Sequence, residues 1–339
     1  MPSLTTVLAQ NAALQEDTPP GFVAVFVGAT SGIGLATLKV LVRGLSAPRF
    51  YVIGRSEPSF APHLTDLRHS NPHADVVFVE AAISLLKDVN AVCDNIVSRE
   101  SHLDLLYMSP GSVSLGGPHN TPEGIDIIFA LSYYARMHLT SRLLPLLLRG
   151  PAPRVLSVLA GGKEKALFTD GGDLGLRKPG TYTSVRAVDQ VTTMHTLAFM
   201  HLATLHPKVS FLHVYPGWVA TDFLEHLLHS AGTLGKAAAW VVGPVYRAIA
   251  MTKEECGERQ AFHALSNRYP SREMIVTARV DAADLAACQG ACSGFYRVLE
   301  NGETTNDIKV LGPLEDGGWP EKVWKHSETV IDEVLGGRK

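Results

Sequence analysis

The stretch "FVAVFVGATSGIG", Phe22 to Gly34, decides how the rest of the chain is read. An unbroken apolar run from Phe22 to Val27 has the composition of a strand buried on both faces, and glycines follow it at once. Gly28 lets the chain turn sharply, Gly32 lets backbone N–H groups approach an anion, and Gly34 permits close helix-strand packing. Thr30, Ser31 and Ile33 complete the loop, and a helix opening there turns its positive end toward a pyrophosphate. The competing reading is a merely tight strand-to-helix turn.

Working outward, further strand-like runs are "RFYVIGR", "ADVVFVEA", "LDLLYMS", "RVLSVLA" and "VSFLHVYPG". Helix-length segments lie between them, among them Gly32 to Leu45, Ser84 to Glu100, Gly124 to Leu148 and Tyr182 to Leu205. This alternation predicts an α/β fold, a Rossmann-type doubly wound parallel sheet with helices on both faces. The expected organisation is an N-terminal extension over 1–20 and one domain over 21–339, with a substrate lobe at about 222–251 and an insertion at about 268–293. A last strand, "GFYRVLENG", and a closing helix from Pro320 to Leu335 follow.

Of 339 residues, 46% are hydrophobic and 19% charged, enough for a substantial core, and a net charge of -3 gives no field for nucleic acid. Four cysteines, Cys93, Cys256, Cys288 and Cys292, form no disulfide pattern and favour a reducing, cytoplasmic setting. The start, "MPSLTTVLAQNAALQEDTPP", has neither a basic leader nor a continuous apolar core. The apolar stretch Lys236 to Met251 is interrupted by Gly243, Pro244 and Arg247 and is too short to span a bilayer, which leaves a lid helix or a membrane-surface contact. His195, His201 and His206 are spaced by six and five, which pairs none of them on one helix face, so no metal set is expected.

The second strand ends in "GRS", where Arg55 stands near the position of an adenosine ribose; a guanidinium there suits a 2′-phosphate, so NADP is expected over NAD. These residues, with "LDLLYMSPG" and "YPGWVATDF", carry a resemblance to the short-chain dehydrogenase/reductase family. "RVLSVLAGGKE" and "GWPEKVWKHSETVIDEVL" are similar in style to fungal members that tailor polyketides or terpenoids. The resemblance implies that Ser109, Gly111, Pro216, Gly217, Val219 and Thr221 also contact the cofactor, and that dimers or tetramers form by helix pairing.

The family's catalytic group is an Asn, a Ser, a Tyr and a Lys. In this chain the resemblance places Ser132 at the first position, Ala160 at the second, Tyr182 at the third and Arg186 at the fourth. Only the tyrosine survives, because an alanine methyl cannot donate a hydrogen bond and arginine keeps the charge but cannot relay a proton. On a shared helix, a cation at 186 would lower the Tyr182 pKa and reach the ribose. Lys163 and Glu164 are candidates to replace lost function, against the reading of a solvated loop. Phe223, Leu227, Leu228, Trp240, Val241, Val242 and Tyr246 are expected either to line a pocket for a hydrophobic small molecule or to pack the lobe on itself. The expected function is NADP-dependent hydride transfer to or from a hydrophobic secondary metabolite. The alternatives are a non-redox isomerase, dehydratase or cyclase with NADP held structurally, and an inactive protein that senses NADP.

Overall fold

Val23, Val25 and Val27 face one side of strand β1 (Val23–Val27), Ala24 and Phe26 face the other, and all five are buried. The two-residue period of the strand therefore feeds two cores at once. The computed structural model describes residues 2–112, 117–169, 172–221, 243, 246, 249–277 and 294–336. Six further strands join β1: β2 (Arg49–Gly54), β3 (Asp75–Glu80), β4 (Leu105–Met108), β5 (Arg154–Val158), β6 (Ser210–Val214) and β7 (Phe295–Val298). The sheet order is β3-β2-β1-β4-β5-β6-β7 and every pairing is parallel.

The order reverses between β1 and β4, which opens a crevice at the carboxyl ends of the central strands. Helices Gly32–Gly44, Glu57–Ser70 and Lys253–Leu265 cover one face, through Leu38, Phe60 and Phe262. Helices Leu86–Arg99, Ala135–Leu147 and Ser184–Leu205 cover the other, through Val89, Leu143 and Leu197. The closing helix, Trp319–Leu335, is laid over this second layer. Its Val323, Val330 and Ile331 join the same core, and hydrogen bonds link Tyr133 to Ser327 (2.6 Å) and Tyr134 to His326 (2.9 Å).

The N-terminal extension is packed onto the domain. Ser3 caps helix Leu4–Ala12 by accepting the Thr6 N–H, Val7 and Leu14 enter the core, and Asn11 donates to the Glu258 carbonyl at 2.8 Å. The helix expected from Gly124 begins at Ile127, capped by Asp126, and contains a π-turn over Ala130–Tyr134. Most of the expected lobe and insertion, with Phe223, Leu227, Leu228, Trp240, Val241, Val242, Cys288 and Cys292, lies outside the described residues. Cys93 and Cys256 are buried free thiols. Among the described residues, no helix is long and apolar enough to cross a membrane and no cluster of side chains could hold a metal ion.

Candidate functional site

Strand register assembles the site. Val27 is level with both Ile53 and Met108, Met108 with Ser157, and Val158 with Val214. The residues that follow each strand, Gly28, Arg55, Ser109, Ala160 and Pro216, therefore gather along one rim of the sheet.

At the centre of the rim the glycine loop has almost no spare room. A Cβ on Gly28 would stand 2.5 Å from the Pro110 nitrogen, and one on Gly34 would stand 2.5 Å from the Gly28 carbonyl and 2.6 Å from Ser109 Oγ. Ser109 Oγ also donates to the Gly28 carbonyl at 3.1 Å, which ties the ends of β1 and β4 together. Gly32 differs. Its φ of +57° is left-handed, and among the described residues a Cβ there would meet only Thr221 Cγ2, at 3.6 Å. The Gly32–Gly44 helix has Ser31 as its N-cap residue but no side-chain capping bond and no acidic residue in its first turn. Its leading N–H groups and its dipole are thus left for an anion. These observations fit the pyrophosphate of a dinucleotide.

Beside that loop, Thr30 Cγ2 fills the space a Gly54 side chain would take. Arg55, the next residue, is exposed and has no ion pair or hydrogen bond among the described residues. Ile33 packs on the core below, and a Cβ on Gly111 would meet no described residue within 4 Å. Across the crevice, the loop after β6 runs through Pro216, Gly217, Trp218 and Val219 to Thr221. Tyr246 Oη donates to the Val219 carbonyl at 2.7 Å, and its ring packs edge-on to Trp218 at 5.8 Å. Trp218 is 68% exposed and Ile249 79% exposed, an apolar rim on this side of the crevice.

The expected Tyr182–Arg186 arrangement is corrected by the structure. Thr183 is the N-cap of the Ser184–Leu205 helix, its side chain accepting the Arg186 N–H at 3.1 Å, so Tyr182 lies before the helix and shares no helical face with Arg186. The Arg186 guanidinium donates to the Thr181 carbonyl and lies over the Phe168 ring at 5.1 Å. Gln190 holds that ring's backbone from both sides, accepting from Phe168 N and donating to its carbonyl, each at 2.9 Å. Tyr182 instead donates its hydroxyl proton to the Asp126 carboxylate at 3.2 Å. Burial first, and then the Asp126 charge and hydrogen bond, raise the phenol well above its ordinary range, the reverse of the lowering expected from a cation.

Ser132 sits inside the π-turn and is buried. Ser157, three residues before Ala160, points into the protein, where it accepts from the buried Arg136 guanidinium. Arg136 also donates to the carbonyls of Leu131, Val158 and Pro110, and so pins the π-turn to the ends of β4 and β5. Lys163 and Glu164 divide: Lys163 is exposed, with its ammonium 4.7 Å from the centre of the Tyr215 ring, whereas Glu164 is buried rather than solvated. Its carboxylate accepts from Arg297 at 3.1 Å, Thr196 at 2.6 Å and the Gly162 N–H at 3.0 Å. His213 accepts the Ala160 N–H at 3.2 Å through Nε2 and reaches Thr196 at 2.8 Å through Nδ1, extending this network to the rim. His195, its ring tilted against that of His213 at 4.6 Å, is a packing residue.

Asp126 and Arg136 were not singled out by sequence. An Asp just before the apolar run "IIFA" is a recognisable N-cap signal, and a lone arginine in "YYARMHLT" breaks an otherwise apolar face.

The family described as short chain dehydrogenase matches residues 22–168. Oxidoreductase AN1596 of Emericella nidulans is 37% identical over 339 residues, 99% of each chain. Short-chain dehydrogenase/reductase SAT2 of Stachybotrys chartarum is 30% identical over 352 residues, 98% of each chain. L-sorbose reductase of Gluconobacter frateurii, solved with NADPH and L-sorbose, shares the fold with a TM-score of 0.54 at 17% identity, over 76% of this chain and 92% of that one. Sheet order, glycine loop and full-length similarity agree, and the chain belongs to the short-chain dehydrogenase/reductase family.

Proposed function

We propose that the chain is an NADP(H)-dependent oxidoreductase that interconverts a carbonyl and an alcohol on a hydrophobic, polyketide- or terpenoid-like molecule. The observation that carries the cofactor choice is Arg55, an exposed guanidinium without an ion pair or hydrogen bond among the described residues, one residue past β2, whose Gly54 packs on Thr30 of the glycine loop. In this reading the N–H groups from Ser31 to Gly34 hold the pyrophosphate and Arg55 holds the 2′-phosphate. Ser109, Gly111 and the Pro216 to Thr221 loop border the remainder of the dinucleotide. When bound, the nicotinamide supplies or accepts hydride. Tyr182 exchanges the proton with the substrate oxygen, and the aromatic pair Trp218 and Tyr246, with Ile249, offers apolar surface to the substrate. Similarity to fungal oxidoreductases supports the redox class of the reaction.

Calorimetry and isotope transfer test this reading together. NADPH should bind at least about tenfold tighter than NADH, because charge-assisted bonds to the 2′-phosphate are worth roughly 1.5–3 kcal/mol, and Arg55→Ala should erase the difference. Deuterium from labelled NADPH should appear in the alcohol formed from one of a panel of hydrophobic ketones. Equal affinity for the two cofactors in the wild type removes Arg55 from the account.

One observation favours a second reading, a non-redox isomerase, dehydratase or cyclase with NADP held structurally. The Arg186 guanidinium is held on the Thr181 carbonyl and the Phe168 ring, and no serine stands at 160. Product formation without isotope transfer from the cofactor would select it.

A further inference from the structure

We propose that Asp126 is the residue that positions Tyr182 and governs when its proton is released, taking the control that the resemblance assigns to a cation at 186. This deepens the acid/base reading of Tyr182 and rests on it.

The geometry is specific. Asp126 is buried and its carboxylate is held by four donors: Oδ1 accepts the Ile128 N–H at 3.0 Å and the Phe129 N–H at 3.5 Å, while Oδ2 accepts the His119 N–H at 2.9 Å and the Tyr182 hydroxyl at 3.2 Å. A carboxylate fixed by three backbone donors is an anchored anion, and it can only accept from the phenol. Among the described residues, two charged side chains on the neighbouring segments, Arg186 and Asp173, are engaged elsewhere. The Arg186 guanidinium is on the Thr181 carbonyl and the Phe168 ring, and Asp173 accepts from Arg177 N, Lys178 N and Thr181 Oγ1. Beside burial and Asp126, Ser184, two residues after Tyr182, acts on the phenol among the described residues.

A fixed anion at this distance favours the protonated phenol, and it also fixes the direction of the O–H bond. Tyr182 therefore enters a reaction carrying its proton. As an acid it must turn the hydrogen from Asp126 to the substrate oxygen; as a base it must pass that hydrogen to Asp126 while accepting another. In both directions the Asp126 carboxylate is the partner that the phenol exchanges with substrate.

Asp126→Asn tests this without disturbing the helix start, since Asn caps about as well as Asp. The phenol is one of nine tyrosines, so its ultraviolet titration is read as the difference between each protein and its Tyr182→Phe counterpart. The Tyr182 signal should ionise at least roughly one pH unit lower in Asp126→Asn than in the wild type. The pH profile of kcat/KM should move in the same direction, and in the Tyr182→Phe background Asp126→Asn should leave that profile unchanged. Asp126→Ser, which also caps and also lacks the charge, should give the same shift. A Tyr182 signal that ionises at the same pH in wild type, Asp126→Asn and Asp126→Ser overturns the proposal. The titration needs neither substrate nor hydride transfer, so its outcome stands apart from that of the redox reading.

Discussion

The Glu164 carboxylate lies 3.1 Å from the Arg297 guanidinium, with both side chains buried. Burial alone would raise the acid, but His213, the Thr196 hydrogen bond, Arg297 and the Gly162 N–H outweigh it and hold the Glu164 pKa below its ordinary value. Removing one partner of a buried pair leaves an uncompensated charge, at a cost of roughly 3–5 kcal/mol. Glu164→Gln should therefore lower the urea midpoint sharply. Lys163→Met, one residue earlier but exposed on the Tyr215 ring, should cost only about 0.5–1 kcal/mol. Similar losses for the two variants would show that the Glu164 network does not stabilise the fold.

Acid should destabilise the protein well before ordinary carboxylates titrate. Burial drives His213 and His263 down to about 3 and His138 to about 4, and holds His195 well below its ordinary value. Their folded pKa values lie below the unfolded ones, so as pH falls through about 6.5 the unfolded chain binds protons that the folded chain refuses. Stability must then decline with falling pH, by up to about 1.4 kcal/mol per pH unit for each histidine. Glu164 adds a loss of the same sign at lower pH, once the carboxylate protonates through its depressed folded value. Denaturation midpoints measured from about pH 7 to about pH 5 check this, and a flat profile contradicts it.

Two neighbouring glycines should fail differently. Gly34→Ala places a methyl 2.5 Å from the Gly28 carbonyl, so the β1 turn must shift and both stability and cofactor binding should suffer. Among the described residues Gly32→Ala meets only Thr221 Cγ2, at 3.6 Å; it should fold at a cost of about 1 kcal/mol for its positive φ. Its NADPH affinity should fall by more than that strain explains, because the methyl stands over the helix N-terminus. Melting temperature and calorimetry on the two variants separate these effects.

Local patterns carried the fold. The run Val23 to Val27 and the glycines after it read correctly because burial on both faces and a strand-to-helix turn each leave a signature within a few residues. The helix expected to start at Tyr182 starts two residues later: Thr183 caps it, and that shift removes the assumed neighbour relation with Arg186. Tyr182 and Asp126 are 56 positions apart, and Glu164 and Arg297 are 133 apart. No local periodicity reports pairings of that range, so the sequence left Glu164 between a pocket residue and a solvated loop, and a buried ion pair was not among its readings. The π-turn around Ser132 left no pattern either, since its register is held by Arg136 bonds to three separate segments.

The central claim, NADPH-dependent hydride transfer with Tyr182 as the proton-exchanging group, is tested most directly by single-turnover loss of reduced-nicotinamide absorbance in wild type and Tyr182→Phe, with a substrate identified from the ketone panel. The phosphate loop is untouched by the substitution, so NADPH should remain bound. The wild type should oxidise the bound NADPH, and Tyr182→Phe should do so roughly 10²–10⁴-fold more slowly. Oxidation at near wild-type rate in Tyr182→Phe would contradict the role given to this tyrosine, and product formed by the wild type with NADPH left unoxidised would contradict hydride transfer itself.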